Sequence, residues 1–451
     1  DEFAGARHRA PLSFVDWNED MTQATIFALS SGQPPAGVAV IRISGPATKA
    51  VINEIAGSAP LPRQASLRTI RNRNGEMLDQ GLVLYFEAPH SFTGEDCAEL
   101  QVHGSRAVVN AVAGTLKELG LRSAEAGEFA RRAFEHGRLD LVEVEGLSDL
   151  VSAETEMQRK LALQTGMGAL SAQYGGWAER LTHARAMIEA ELDFADEDDV
   201  PGSVADMIGG DLAALVAEMS VASVSARSAE IIRNGFKVAI IGAPNAGKSS
   251  LLNAMAKREV AIVTDIAGTT RDVLTVELDM EGYLVRLYDT AGIREAEDVV
   301  EREGIERAKS AARSADMILY LKEAGSPTDI VYKDYGVPYL EVETKADLSK
   351  RDKVEAVRIS SVTGEGLDEI HRAIVDKARD SWNGGLPASN DRHREHIALA
   401  SKFIENALDE PRLELKADAL RAAGDELGRI TGRVDVEDLL DVIFSKFCIG
   451  K

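Results

Sequence analysis

The segment GAPNAGKS at 242–249 has the spacing G-x-x-x-x-G-K-S, directly after the apolar run Val238 to Ile241 and before a helix opening at Ser250-Leu251. Glycines at these places let the backbone wrap a phosphate. Asn245, Ala246, Gly247, Lys248, Ser249 and Ser250 then form one concave surface in which amides and a helix N-terminus face negative charge. Lys248 is expected to reach the β and γ phosphates, and the Ser249 hydroxyl to hold Mg²⁺.

Three further segments follow in the order of a guanine-nucleotide site. GTTRD at 268–272 offers Thr270, a hydroxyl able to close onto Mg²⁺ when the γ phosphate is present. DTAG at 289–292, Asp289, Thr290, Ala291 and Gly292, puts a carboxylate in the outer Mg²⁺ shell and the Gly292 N–H near the γ phosphate. TKAD at 344–347 supplies Thr344, Lys345 and Asp347; the two Asp347 oxygens match the paired N1 and N2 donors of guanine, which adenine lacks. Thr344 stands where Asn is usual. Ser360 and Ser361 fit a loop whose backbone N–H meets the guanine O6, although a serine pair also serves as an ordinary turn. After DTAG comes Ile293 instead of a water-orienting Gln, which leaves Arg294, Glu295, Glu297, Glu301 and Glu303 as candidates on what is otherwise a solvated charged face.

The surrounding elements must hold these loops. The 451 residues favour two or three domains, and 45% hydrophobic, 28% charged and 5% aromatic residues describe a helix-rich globular chain. The net charge of −23 argues against a surface that coats nucleic acid, so any RNA contact is expected to be local or borrowed from a partner. No run of 18 or more apolar residues occurs and residues 1–20 carry no apolar core, so a cytoplasmic chain without membrane contact is expected. Residues 1–20 read as an appended or overlong leader outside the fold. Residues 21–138, with runs such as VAVIRI and LVLYF, read as a small α+β domain, and 139–234 as helical. Residues 235–383 alternate strand, loop and helix as a doubly wound α/β domain, and helical periodicity resumes over 384–451. The expected architecture is α/β and α: an inserted Ras-like P-loop G domain inside a discontinuous helical domain, after an N-terminal α+β domain.

The chain resembles the tRNA-modification GTPase family MnmE, also called TrmE, from Thr25 to Lys451. VAVIRISG, DQGLVLYF, SFTGEDCAELQVHG, GEFARRAF, IVTDIAGTTRD, DTAGIRE and the terminal FCIGK carry that resemblance. It implies a homodimer joined by the N-terminal domains, G domains that meet during hydrolysis, and a flavoprotein partner of the MnmG type that contains FAD. It implies a tetrahydrofolate derivative, 5-formyl or methylene, at Arg42, Glu99, Arg138 (where the family usually has Lys) and Lys451. It further implies a K⁺ ion held by Asn245 with Thr264, Ile266 and Thr269, in the loop Thr264, Asp265, Ile266, Ala267, Gly268, Thr269, and makes Glu301 the residue that orients water. Lys248, Thr270 and Glu301 are then the catalytic residues of a GTPase that modifies C5 of the wobble uridine. A fixed cation near the β,γ-bridging oxygen would stabilise transition-state charge.

Other residues carry blander expectations. Cys97 reads as core, Cys448 as either a reactive or a structural thiol, His103 and His136 as ordinary histidines, Trp177 and Trp382 as packing anchors, and Asp196 to Asp199 as a solvated turn. The rival functional readings are a ribosome-assembly or other RNA-associated GTPase, which would want a basic appendage, and a scaffold that binds GTP without hydrolysing it.

Overall fold

The computed structural model describes residues 24–193, 204–243, 245–262, 274–289, 313–323, 336–348, 356–381 and 390–434, with 440, 443–445, 447 and 450. Residues 1–140 with 437–451 form one compact unit and 141–436 the other.

The first unit comprises β1 (Ile26–Leu29), β2 (Ala36–Ser44), α1 (Thr48–Ala56), β3 (Ser66–Arg71), β4 (Met77–Phe86), β5 (Cys97–Gly104), α2 (Arg106–Glu118), β6 (Arg122–Ser123) and α3 (Glu128–Glu135). Its sheet has the order β3-β4-β5-β2-β1-β6, antiparallel except for the parallel β1–β6 edge. Strand alternation sends Ala39, Ile41 and Ile43 of β2, and Ala98, Leu100 and Val102 of β5, to one face. There Val51, Ile52 and Ile55 of α1 and Val112 and Leu116 of α2 cover them. Arg42 lies between two inward isoleucines and must therefore face the other side. Residues 437–451, grouped with the returning helices by sequence periodicity, cluster here instead. Ser30 Oγ donates to the Gly450 carbonyl at 2.8 Å, and the Phe134 and Phe444 rings lie 6.4 Å apart.

The second unit begins with α4 (Leu141–Ser152), α5 (Glu156–Gly166), α6 (Ala169–Asp193) and α7 (Val204–Asn234). Then follow β7 (Phe236–Gly242), α8 (Lys248–Arg258), β8 (Val260–Ala261), β9 (Leu274–Met280), β10 (Tyr283–Asp289), β11 (Met317–Glu323), β12 (Tyr339–Thr344), β13 (Val357–Arg358) and α9 (Leu367–Asp380). The helices α10 (Asp391–Asp409) and α11 (Leu413–Thr431) complete it. Tyr174, Leu181 and Ile188 of α6, Leu212, Leu215 and Met219 of α7, Ile397 and Ile404 of α10, and Leu420 and Leu427 of α11 recur at helical spacing and share one buried core. Within α7, Ile208–Asn234 is long and apolar enough to cross a membrane by length and composition alone. Its Leu212, Leu215 and Met219 stripe belongs to the helical core.

The seven strands run β13-β12-β11-β7-β10-β9-β8, parallel from β13 to β10, with β9 and β8 antiparallel at the edge. Strand β7 is central and covered on both faces, Val238 and Ile240 in one core and Ala239 and Ile241 in another. Burial on both sides explains why its sequence is a continuous apolar run and not an alternation. The C-terminal edge of such a sheet is where ligands bind in open α/β folds.

Candidate functional site

At that edge, β7 delivers the chain into the P-loop, and α8 starts at Lys248. Asn245 has φ 63° and Gly247 φ 92°, two left-handed residues that turn the loop back onto the helix axis. Lys248 is buried and its Nζ donates to the carbonyls of Gly242 and Ala243, both at 2.8 Å. The cation is thus tethered across the mouth of the loop, where an anion would find it. The Ala246 N–H donates to Ala243 O at 3.1 Å, while Asn245, Ser249 and Ser250 are exposed at the loop and first helical turn.

The guanine-loop residues arrive from β12. Thr344 is buried against the P-loop: a Cβ on Gly247 would lie 3.5 Å from Thr344 Cβ and 3.6 Å from its Cγ2. Its hydroxyl donates to Lys322 O at 3.3 Å. Lys345, at φ 59°, turns the chain into the 3₁₀ segment Ala346–Leu348 and pairs with Glu323 at 3.0 Å, leaving Asp347 exposed. Ser360 is buried, and its Oγ accepts the N–H groups of Val362 and Thr363 at 3.3 and 3.2 Å; Ser361 is half-buried beside it. The Ala346 N–H donates to Ile359 O at 3.0 Å, so the 344–347 and 360–361 segments meet. Asp289 ends β10 in register with Ile240, two residues short of Gly242. Thr264, Asp265, Ile266, Ala267, Gly268, Thr269 and Thr270, Thr290, Ala291 and Gly292, and Glu301 lie outside the described residues, as do Trp382 and Asp196 to Asp199.

In the first unit Arg42 and Glu99 face each other across β2 and β5, bridged at 2.9 Å, and the Arg42 guanidinium sits 5.1 Å from the Phe92 ring centre and 5.8 Å from that of Phe129. Phe92 opens a loop whose Gly94, at φ 84°, packs against Arg138: a Cβ there would come within 3.2 Å of Arg138 Cγ. Gly450 abuts Leu29 and Ser30 of the neighbouring strand, so closely that a Cβ would run into the Leu29 carbonyl. Leu29 precedes the chain reversal into β2 and pairs with Ile41, next to Arg42. Arg42 is thus paired with Glu99 and borders Phe92, Arg138 packs on the loop that follows Phe92, and Gly450 docks at the end of β1; Lys451 and Cys448 lie outside the described residues. Cys97 is buried, its Sγ 3.1 Å from Thr93 Oγ1. His103 pairs with Asp79 at 2.8 Å, and His136 Nδ1 lies 2.8 Å from Arg132 O. Among the described residues no group of three or more His, Cys, Asp or Glu is arranged to hold a metal ion.

A polar cluster in the helices escaped the sequence. Glu145 of α4 receives Asn390 Nδ2 at 3.0 Å and Arg392 Nη2 at 3.0 Å on each oxygen, and lies 2.8 Å from His393 Nε2. Burial raises the Glu145 carboxyl, but His393 and Arg392 outweigh it and hold it at about 2. The partners are separated by some 245 positions in the chain, and no local spacing could have signalled them.

The family model described as the MnmE helical domain matches residues 141–448, and that described as the GTP-binding protein TrmE N-terminus matches 25–138. The tRNA modification GTPase MnmE of Rhizobium etli (strain CIAT 652) is 56% identical over 438 residues, 96% of this chain and 100% of its own. That of Sinorhizobium medicae (strain WSM419) is 56% identical over 437 residues, 95% of this chain and 99% of its own. The solved Era of Aquifex aeolicus bound to GDP.AlF4⁻ is 29% identical, over 34% of this chain and 58% of its own, at a TM-score of 0.27. With both family models and full-length relatives matched, the chain belongs to the MnmE (TrmE) family of tRNA modification GTPases and is a GTP hydrolase acting in tRNA modification.

Proposed function

We propose that this chain hydrolyses GTP to GDP and phosphate in a K⁺-assisted cycle that requires G-domain dimerisation, and that the cycle serves C5 modification of the wobble uridine, U34. A tetrahydrofolate one-carbon donor, 5-formyl or methylene, and a FAD-containing MnmG-type protein in a hetero-oligomer complete the chemistry, which adds a carboxymethylaminomethyl-type group. The working form is a cytoplasmic homodimer, and tRNA is met locally or through the partner. The observation that carries this reading is the presence in one chain of two features: a P-loop packed on Thr344, and the Arg42–Glu99 pair in the unit where Gly450 docks on Ser30.

At the first site Lys248 holds the phosphates, Ser249 and Thr270 hold Mg²⁺ with Asp289 in its outer shell, and Asp347 reads guanine. Asn245, with Thr264, Ile266 and Thr269, holds K⁺, which when bound supplies positive charge near the β,γ-bridging oxygen. Glu301 orients the attacking water through a second water. At the second site Arg42, Glu99, Arg138 and Lys451 bind the folate, with the Phe92 and Phe129 rings flanking Arg42. The domains are 21–138, 139–234 with 384–451, and 235–383, the tail 437–451 of the second packing within the compact unit of the first.

Turnover of the full chain in K⁺ and in Na⁺ buffers tests the cation, with K⁺ expected to be at least tenfold faster; equal rates would sink it. Glu301→Ala is expected to remove hydrolysis and keep nucleotide binding. Nucleoside analysis of tRNA from a strain lacking the chain tests the pathway, because unmodified C5 at U34 is required.

A further inference from the structure

Among the described residues, α4 and α5 hold the two helix ends where the chain leaves for and returns from the strands of the GTP site, and α5 also touches those strands directly. Leaving the helices, the chain ends α7 at Asn234 and enters β7. Here Asp149 of α4 accepts from Arg233 Nη2 at 2.6 Å, and Gln158 Nε2 of α5 donates to the Arg233 carbonyl at 3.0 Å. Where α10 resumes, Glu145 of α4 holds Asn390, Arg392 and His393. The direct contact belongs to the β9–β10 hairpin. The first turn of α5 has backbone N–H groups without helical partners, and the N–H of Met157 donates to the carbonyl of Gly282 at the hairpin tip, at 3.0 Å.

That last contact is close on both sides. Gly282 has φ 87°, and a Cβ there would lie 3.2 Å from Glu156 Cβ. The Met157 side chain packs both with Leu161, Ala229 and Ile232 of the helices and against the core of the seven-stranded sheet. From the tip, β10 runs Tyr283 to Asp289, about 20 Å at ~3.3 Å per residue, and pairs with β7 from Phe236 to Ile240, directly before the P-loop. Strand β10 thus runs from the first turn of α5 to the C-terminal edge of the sheet, beside the strand that enters the P-loop.

We propose that α4 and α5 form the seat of the G domain, and that the Met157–Gly282 contact is the point where its nucleotide state reaches the helices. This rests on the reading of the chain as a GTPase whose cycle drives tRNA modification. Hydrogen exchange of the full chain, loaded first with GDP and then with a non-hydrolysable GTP analogue, reads the Met157 amide directly. Its protection is expected to change at least fivefold between the two states, whereas the Val108 amide, which donates to its own cap Ser105 at 3.1 Å in the other unit, stays constant. Equal protection of Met157 in both states overturns the proposal. Met157→Ala and Gly282→Ala are each expected to keep kcat for GTP hydrolysis within twofold and to lower U34 modification in cells at least tenfold. Should a variant lose its fold, exchange in the unaltered chain decides by itself. Failure of the unaltered chain to restore modification in a deletion strain would refute the parent reading; restoration by the unaltered chain and both variants alike would refute only the coupling.

Discussion

Thr344 concentrates what one residue can and cannot reveal. The position was legible because Lys345 and Asp347 follow at fixed spacing, but the sequence did not show how a threonine serves there. Its hydroxyl donates to Lys322 O at 3.3 Å, and its side chain faces Gly247, where an added Cβ would lie 3.5 Å from its own. An asparagine would extend an amide toward the P-loop backbone and add a hydrogen bond, a net gain of about 1 kcal/mol. Thr344→Asn is therefore expected to slow GDP dissociation several-fold, measured by displacement of a fluorescent GDP; an unchanged off-rate would show that packing already fixes the loop. The P-loop was readable because phosphate binding needs adjacent residues. Arg42 and Glu99 are 57 positions apart and were assigned only through the family resemblance. Alternation explains afterwards why Arg42 faces away from Ile41 and Ile43.

Among the elements, strands buried on one or both faces declared themselves, while strand ends and turns did not. LVLYF marked only the second half of β4, because Asp79, Gln80 and Gly81 in the first half break the apolar alternation. The edge strand β13 covers just Val357–Arg358, too short to show an alternation. The β9–β10 turn was silent because Glu281 and Gly282 replace the usual Asn-Gly or Asp-Gly signal. Both adopt positive φ, 51° and 87°, and Glu281 does so with a Cβ that disfavours it. Its pairing with Arg379 at 3.2 Å is more than half exposed on both sides and worth little. Glu281→Asn is expected to stabilise the chain by roughly 0.5 kcal/mol, since Asn tolerates the left-handed region better. Urea unfolding would detect it as a higher midpoint with the same slope; a lower midpoint would give the Arg379 pair more weight than its exposure allows.

At the scale of the whole molecule, charge makes the second unit sensitive to acid through its buried cluster. His393 is fully buried, and burial pushes its imidazole below the usual range against the pull of Glu145; Arg392 and Arg233 push the same way as burial. Glu145 is held at about 2. Both groups have folded pKa values below their ordinary ones, 6.5 for the histidine and 4.5 for the glutamate, so the unfolded chain binds more protons as the pH falls. Their contribution is complete above about pH 6.5 and erodes below it, first through His393 and then, between about 4.5 and 2, through Glu145. One such proton changes stability by at most ~1.4 kcal/mol per pH unit. Loss of this cluster would release Asn390, Arg392 and the Arg429 and Ile430 carbonyls that Arg392 also holds, loosening α10 and α11 where the chain returns from the G domain. The Tm of the full chain is accordingly expected to fall between pH 7.5 and 5.5, and His393→Gln to flatten that slope while the steeper loss below pH 4.5 persists. Calorimetry across this range measures both limbs, and a slope between 7.5 and 5.5 that survives the substitution would remove His393 from the account.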